Sequence, residues 1–198
     1  ADMGCGKGYL SFATYSHLVT LQKDISLVGY ELRPKLVTEI NSIARLHKLS
    51  GLSFEVGDIS QIDIPKTDMV IALHACDIAT DVAIAKGIEV GAELIVVSPC
   101  CHKQIRKTMK GNPRIVSSLS HGIMKERMAE WLTDAIRALL LDSKGYKTKI
   151  MEFVSLEHTS KNSLITAEKT NVRSGALLEV AALKQQHGIK EHYLERLI

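Results

Sequence analysis

The stretch Asp2-Met3-Gly4-Cys5-Gly6-Lys7-Gly8 places three glycines at alternating positions directly behind an acidic residue. Because glycine has no Cβ, a backbone built in this way turns tightly and comes close to a ligand. An apolar run that is compatible with a helix follows from Tyr9. The N-terminus of such a helix points N–H groups and a partial positive charge at the loop. The pattern predicts a ligand-binding turn between a strand and a helix.

The rest of the chain alternates strand and helix patterns. We predict strands at 26–31, 52–58, 68–73, 93–98, 146–156 and 163–169, and helices at 8–22, 34–50, 79–90, 123–141, 175–186 and 189–198. The unbroken apolar run at 68–73 is typical of a parallel strand that is buried on both faces. Alternation of this kind indicates an α/β fold, in which helices cover both faces of a mostly parallel sheet.

Two further acidic residues stand at the ends of predicted strands. Glu31 ends the second strand, about 20 residues beyond the glycine loop, where an acid can accept hydrogen bonds from ribose hydroxyls. Asp58 ends the third strand and is followed by Ile59. With Asp2, three acids therefore mark the ends of three successive strands, which indicates a nucleoside cofactor.

The spacing Asp-x-Gly-x-Gly-x-Gly resembles motif I of the class I S-adenosylmethionine (SAM) methyltransferases. The resemblance implies that the loop holds the methionine end of SAM and that Asp2 contacts its amino group, directly or through water. It also implies that Glu31 binds the ribose, that Asp58 meets the adenine amino group and that Ile59 packs on the ring. The cofactor-binding residues implied are Asp2, Gly4, Cys5, Gly6, Gly8, Glu31, Asp58 and Ile59.

The same resemblance covers residues 1–169 and implies a Rossmann-like class I methyltransferase fold. We expect a mostly parallel sheet of seven strands with an antiparallel last strand. The first strand should be largely missing from this chain, with more of the protein upstream. We predict an N-terminally truncated methyltransferase domain at 1–170 and a C-terminal helical extension at 171–198.

Two clusters of reactive side chains follow the fourth and fifth strands. They are His74-Ala75-Cys76-Asp77 and Cys100-Cys101-His102. In an open α/β sheet, ligands bind outside the carboxyl ends of the strands. The paired clusters resemble a methyltransferase branch that includes the acceptor-stem tRNA 2′-O-methyltransferases. The candidate catalytic residues are His74, Cys76, Asp77, Cys100, Cys101 and His102.

Several interpretations of these clusters remain open. They can shape a pocket that orients the methyl acceptor, since orientation alone lowers the barrier of a displacement substantially. A cysteine can instead act as a covalent nucleophile, with His74 or His102 stabilising its thiolate. Cys76, Cys100 and Cys101 with a histidine can also bind zinc, or the cysteines can simply be small buried residues. We favour the first interpretation and assign no metal site.

Five basic residues and no acid lie between Lys103 and Arg114. Clustered positive charge beside the predicted active site attracts the phosphate backbone of a nucleic acid. The alternative is that these residues form a solvated helix face. We therefore predict a SAM-dependent methyltransferase that acts on RNA, and the resemblance makes tRNA the leading substrate. The alternatives are a methyltransferase of proteins or small molecules, and a non-catalytic SAM-fold binding module.

The composition fits one globular domain. The chain has 198 residues, of which 45% are hydrophobic and 24% charged, and its net charge is +3. No apolar run approaches the roughly 18 residues that span a membrane, so we expect no membrane partner. Two of the four cysteines are adjacent, which suits a reducing compartment, and we expect a cytoplasmic protein. The sequence does not indicate an oligomeric state.

Overall fold

The computed structural model of the protein describes residues 1–73, 75, 77–109, 120–153 and 162–198. Of the predicted site residues, His74 and Cys76 lie outside the described residues, as do Lys110 and Arg114 of the basic stretch. The strands are β1 (Asp2–Met3), β2 (Leu27–Glu31), β3 (Leu52–Val56), β4 (Met69–Leu73), β5 (Leu94–Ser98), β6 (Tyr146–Glu152) and β7 (Ser163–Lys169). The helices are α1 (Tyr9–Thr20), α2 (Pro34–Leu46), α3 (Ile78–Glu89), α4 (Lys103–Thr108), α5 (Gly122–Ser143) and α6 (Ala176–His187), followed by a 3-10 helix (Tyr193–Arg196).

The strands form one sheet in the order β3-β2-β1-β4-β5-β7-β6. Neighbouring strands are parallel except at β7, which runs antiparallel to both β5 and β6. The predicted Rossmann-like architecture, with seven strands and an antiparallel last strand, is confirmed. β1 is short, as expected, and Asp2 pairs with Gly29 on one side and Ile71 on the other.

The core is centred on β4 and β5. Val70, Ala72, Ile95 and Val97 are fully buried in the main hydrophobic cluster, and Ile71 between the first two is also buried. Because successive side chains point to opposite faces of a sheet, this burial means that both faces of β4 are covered. The apolar run that predicted the strand therefore reflects its central position.

The first two helices pack over the other half of the sheet. Tyr15 of α1 and Ile40 of α2 meet Leu27, Leu52 and Phe54 in a second, smaller cluster. This packing fixes the position of α1, whose first residue directly follows the glycine loop. The sheet order thus places the loop, the end of β2 and the end of β3 side by side.

Two elements differ from the prediction in kind, and several others end earlier than predicted, among them α2 at Leu46 and β3 at Val56. The sequence does not predict α4, because the basic stretch contains no regular repeat of apolar residues. Ile105 and Met109 are nevertheless buried one turn apart and anchor this short helix. The predicted last helix at 189–198 is reduced to the 3-10 helix. Ile189 and Leu194 nevertheless join the main cluster, so the C-terminal residues pack on the same core as the sheet. None of the helices in the described ranges combines the length and apolar character that a membrane span requires.

Candidate functional site

The glycine loop between β1 and α1 adopts a backbone conformation that favours glycine. Gly4, Gly6 and Gly8 have φ values of 78°, 56° and 72°, which residues with a side chain rarely adopt. The N–H groups of Gly4 and Cys5 both donate to the carbonyl of Tyr30 at 3.0 Å, which fastens the loop to β2. A Cβ built on Gly4 or Gly6 would meet no atom within 4 Å. The loop therefore presents an open face at these two positions.

Gly8 and Gly29 let the loop lie directly on the ring of Phe54. A Cβ on Gly8 would come within 2.9 Å of Phe54 Cζ, and one on Gly29 within 2.6 Å of Phe54 Cδ1. Phe54 in turn packs against Phe12 of α1, with the ring centroids 5.4 Å apart. The missing side chains at these two positions thus set the height of the loop above the sheet.

Glu31, the last residue of β2, contacts the glycine loop. Its Oε2 accepts a hydrogen bond from the N–H of Gly6 at 3.1 Å. Its Oε1 accepts from the N–H of Arg33 at 3.1 Å and from Arg33 Nε at 2.8 Å. The side-chain bond from Arg33 lowers the pKa of Glu31 below its ordinary value, which keeps the carboxylate ionised. The structure brings together the loop and the acid as the sequence predicts, and it adds Arg33, which sequence reasoning missed.

Asp2 and Cys5 support the loop from its inner side. Asp2 is only 3% exposed, and its Oδ2 accepts a hydrogen bond from Ser11 Oγ in α1 at 2.5 Å. Burial raises the pKa of Asp2. The thiol of Cys5 packs in the smaller cluster beside Gly29, and burial raises its pKa to about 12. The side-chain contacts observed for these two predicted cofactor residues are therefore with the protein itself.

Asp58 lies two residues beyond Val56, where β3 ends, and not within the strand as predicted. The N–H of Gly57 donates to the carbonyl of Glu31 at 3.1 Å, which holds the loop after β3 beside β2. Asp58 is exposed, and its Oδ1 accepts from the N–H and the hydroxyl of Ser60 at 2.9 and 2.7 Å. These bonds, the backbone one first, lower the pKa of Asp58. Ile59 packs half-buried against the main cluster, so the loop, Glu31 and Asp58 form a row across the ends of β1, β2 and β3.

The loops after β4 and β5 continue this row. Asp77, directly before α3, has φ 55° and ψ −118°, which is a strained conformation for a residue with a side chain. Its Oδ1 accepts a hydrogen bond from the N–H of Gln104 at 3.3 Å. Cys100 and Cys101 are half-buried, and their Sγ atoms lie 3.8 Å apart. The structure thus brings Asp77 and the cysteine pair to neighbouring strand ends.

His102 lies in the core. It is 4% exposed, and its Nε2 is 3.1 Å from Oδ1 of Asp134 on α5. Asp134 also accepts from Arg137 Nη1 at 3.1 Å. Arg137, which is fully buried, donates from Nε to Asp81 at 2.7 Å and from Nη2 to the carbonyl of Asp77 at 2.9 Å. A buried charged network therefore links His102 to the loop after β4.

Sequence reasoning missed the members of this network other than His102. A usable pattern was present in α5, where Asp134 and Arg137 interrupt the apolar stripe that includes Leu132 and Ile136. Charged residues are almost never fully buried unless they are paired. Two opposite charges three residues apart on the buried face of a helix therefore indicate an internal ion pair.

His192, in the C-terminal segment, is fully buried, and we expect it to make the free energy of unfolding depend on pH. Burial lowers its pKa to about 3, and the positive charges of Arg137 and Lys184 act in the same direction. An unfolded chain binds a proton at this histidine near its ordinary pKa of 6.5, whereas the folded protein does not. We therefore expect this residue to lower the free energy of unfolding by about 2 kcal/mol as the pH falls from about 7 to about 5.

The substitution His192→Asn tests this expectation, because asparagine cannot titrate and still offers an oxygen to the N–H of Leu194, which His192 Nδ1 accepts at 3.2 Å. Urea unfolding at both pH values gives the free energies. The loss of stability on acidification should be smaller in the variant by the contribution of His192. An equal loss in both proteins would contradict the assignment.

The described part of the chain has cavities at both ends of the sheet. One of about 430 Å³ opens between α5 and the β6–β7 pair, where Trp131, Asp134 and Ser163 line it. Because β7 begins where β5 ends, this cavity lies at the carboxyl end of the parallel strands. The other, of about 510 Å³, lies at the amino ends of β2 and β4, away from the glycine loop. Among the described residues, no group of three or more potential metal ligands comes together.

Comparisons with known proteins identify the family and support the fold. A family described as "Methyltransferase domain" matches residues 1–108. The 23S rRNA methyltransferase ErmE is similar in structure, with a TM-score of 0.55 and 12% identity over 92% of this chain and 67% of that chain. EvdMO1 gives a TM-score of 0.52 at 12% identity, over 85% of this chain and 36% of its own. The CMeT domain of the citrinin polyketide synthase gives a TM-score of 0.50 at 13% identity, over 86% of this chain and 46% of that chain.

At these identities the structural similarities establish the fold alone. No curated protein sequence matches the chain. The family match spans more than half of the chain, from the glycine loop to the last residue of α4. It includes Glu31, Asp58 and the loops after β4 and β5. The chain therefore belongs to the methyltransferase-domain family.

Proposed function

We propose that this protein transfers a methyl group from SAM to RNA, with tRNA as the leading substrate. The observation that carries the cofactor assignment is the row formed by the glycine loop, Glu31 and Asp58 at adjacent strand ends. Backbone bonds from Gly4 to Tyr30 and from Gly57 to Glu31 hold this row together. The open face at Gly4 and Gly6 leaves space for a ligand, so the residues present fit this cofactor.

Each part of the row has a defined task in the proposal. The N-terminus of α1, directly after the loop, holds the methionine end. Glu31, ionised by its contact with Arg33, accepts hydrogen bonds from the ribose hydroxyls. Asp58 accepts from the adenine amino group, and Ile59 packs on the ring. Asp2 acts indirectly in this arrangement, since its bond from Ser11 fixes the loop to α1.

The acceptor side of the proposal consists of the loops after β4 and β5. Bound SAM supplies an activated methyl group on a sulfonium. Asp77, Cys100 and Cys101 stand at the adjacent strand ends and orient the acceptor, and orientation contributes a large part of the rate enhancement in a reaction of this type. His102, buried against Asp134, holds the loop after β5 rather than touching the acceptor. The roles of His74 and Cys76 remain predictions.

The charge of α4 supports RNA as the substrate. Lys103, Arg106 and Lys107 are exposed on this helix, which begins directly after the Cys100-Cys101-His102 cluster. Arg106 pairs with Glu126 of α5 at 2.8 Å, which fixes the helix against α5. Exposed positive charge of this kind attracts phosphate groups.

The function is tested by incubating the protein with methyl-labelled SAM and, in parallel, with total RNA, protein extract and small metabolites. We expect label in RNA, and within it in tRNA. Label in protein or metabolites would contradict the proposed acceptor and leave the methyltransferase assignment intact. Binding of SAM without label in any pool would contradict catalysis and favour a binding module.

The contribution of α4 to RNA binding can be measured by its salt dependence. For the double variant Lys103→Gln/Lys107→Gln, we expect the slope of log affinity against log salt to become shallower by about 1.4, because each phosphate contact on single-stranded RNA contributes about 0.7. The matched control is Lys147→Gln/Lys149→Gln on β6, which removes the same charge from another exposed surface. Equal slopes in all three proteins would remove α4 from the RNA interface.

A further inference from the structure

Gln104 joins three separate parts of the chain at the presumed acceptor site. Its N–H donates to Oδ1 of Asp77 at 3.3 Å, in the loop after β4. Its side-chain Nε2 donates to the carbonyl of Glu191 at 2.9 Å, and its Oε1 accepts from the N–H of Tyr193 at 3.2 Å. Both ends of the side-chain amide therefore bind the backbone of the C-terminal segment, residues 189–198.

The C-terminal segment has internal contacts that fix its own conformation. The N–H of His192 donates to Oε2 of Glu195 at 2.7 Å, and the N–H of Leu194 donates to His192 Nδ1 at 3.2 Å. Lys184 of α6 contacts both carboxylate oxygens of Glu195, at 2.6 and 2.7 Å. His192 and Leu194 are fully buried. The segment is therefore a fixed support to which Gln104 is attached.

The strained residue Asp77 lies on the other side of Gln104. A residue in such a conformation keeps it only where its surroundings hold it. The carbonyl of Asp77 accepts from Arg137 at 2.9 Å and from the N–H of Thr80 at 3.2 Å, while its carboxylate accepts from Gln104. Arg137 and Gln104 therefore hold Asp77 from α5 and from α4 respectively.

We infer that Gln104 is a positioning residue for methyl transfer. Its main-chain N–H holds Asp77. Its side chain ties the start of α4, and with it the adjacent Cys100-Cys101 pair, to the C-terminal segment. The distance between the loops after β4 and β5 is thereby set by residues that contain no recognised motif. The inference rests on the proposed function, because it takes these two loops as the place where the acceptor binds.

The test compares Gln104→Ala with Gln185→Ala, which removes an exposed glutamine from α6. In Gln104→Ala we expect kcat for methylation of RNA to fall by about 10- to 100-fold, because small misplacements of reacting groups have effects of this size. The affinity for S-adenosylhomocysteine and the KM for SAM should stay within about twofold, since the cofactor row does not include Gln104. The Gln185→Ala control should match wild type in every measurement.

A second measurement does not depend on activity. The alkylation of Cys100 and Cys101 by iodoacetamide, located by peptide mass spectrometry, should be several-fold faster in Gln104→Ala than in wild type. The variant Gln104→Glu keeps the oxygen for Tyr193 and loses the donor to Glu191, so its kcat and alkylation rate should be intermediate. Cys5 is an internal reference, because its pKa of about 12 keeps it as an unreactive thiol.

The outcomes distinguish a failure of the inference about Gln104 from a failure of the proposed function. Unchanged kcat and unchanged alkylation in Gln104→Ala would overturn the inference, as would parallel losses of kcat and of S-adenosylhomocysteine affinity, which indicate a general structural role. If the wild-type protein labels no pool at all, the proposed function fails, and the alkylation rates then decide alone whether Gln104 sets the position of the two loops.

Discussion

Replacing Arg137 with methionine should lower the free energy of unfolding by about 3–5 kcal/mol. The guanidinium is fully buried and donates to Asp81 at 2.7 Å and to Asp134 at 3.1 Å. Methionine approximates the length of the side chain and donates no hydrogen bond. The substitution therefore leaves two carboxylates in the core without their cation, and an uncompensated buried charge is strongly destabilising.

Urea unfolding of the variant measures this effect, with the slope of the unfolding free energy against urea concentration fitted separately for each protein. The matched control is Arg127→Met, which removes an exposed arginine from the same helix and should change the free energy of unfolding by no more than about 0.5 kcal/mol. If Arg137→Met lies within about 1 kcal/mol of wild type, the buried carboxylates do not depend on this cation. The His102–Asp134 contact would then need another explanation.

Replacing Glu31 with alanine should raise the dissociation constant for SAM by roughly 10- to 100-fold, because a hydrogen bond to a charged group contributes about 1.5–3 kcal/mol. Glu31 is 8% exposed, and its contact with Arg33 already keeps the carboxylate ionised and oriented. It also accepts from Gly6 at 3.1 Å, so its removal loosens the loop as well as the ribose contact. Both consequences weaken the same binding event.

Calorimetric titration with S-adenosylhomocysteine gives the dissociation constants without turnover. Glu39→Ala, an exposed carboxylate on α2, is the control and should bind within about twofold of wild type. Thermal unfolding of both variants establishes that the fold is retained. An unchanged affinity in Glu31→Ala would remove this residue from the cofactor site and with it the central argument for SAM.

The fold could be predicted because its main determinants are local. The three glycines with positive φ, the apolar run of β4 and the proline at the start of α2 each act within a few residues. Strand β7 at Ser163–Lys169 agrees with its predicted range. Sequence order and the right-handed crossover rule then leave few ways to arrange strands and helices that alternate.

The acceptor half of the site could not be predicted to the same degree, since its contacts are long-range. Arg137 meets Asp81 across 56 residues, and Gln104 meets Glu191 across 87. No local pattern specifies which buried charge pairs with which. The motif at Cys100-Cys101-His102 predicted three residues of equal standing, whereas the structure separates a half-buried cysteine pair from a histidine that serves the core.

The bonds that continue past the strand ends have a consequence for the kinetics of ligand binding. Gly4, Cys5 and Gly57 extend the hydrogen bonding of the sheet to the loops that follow β1 and β3, so the proposed cofactor cradle has its shape before any ligand arrives. Little conformational entropy is then lost on association. We expect the encounter rate to depend on solvent viscosity and to be nearly independent of any isomerisation of the protein.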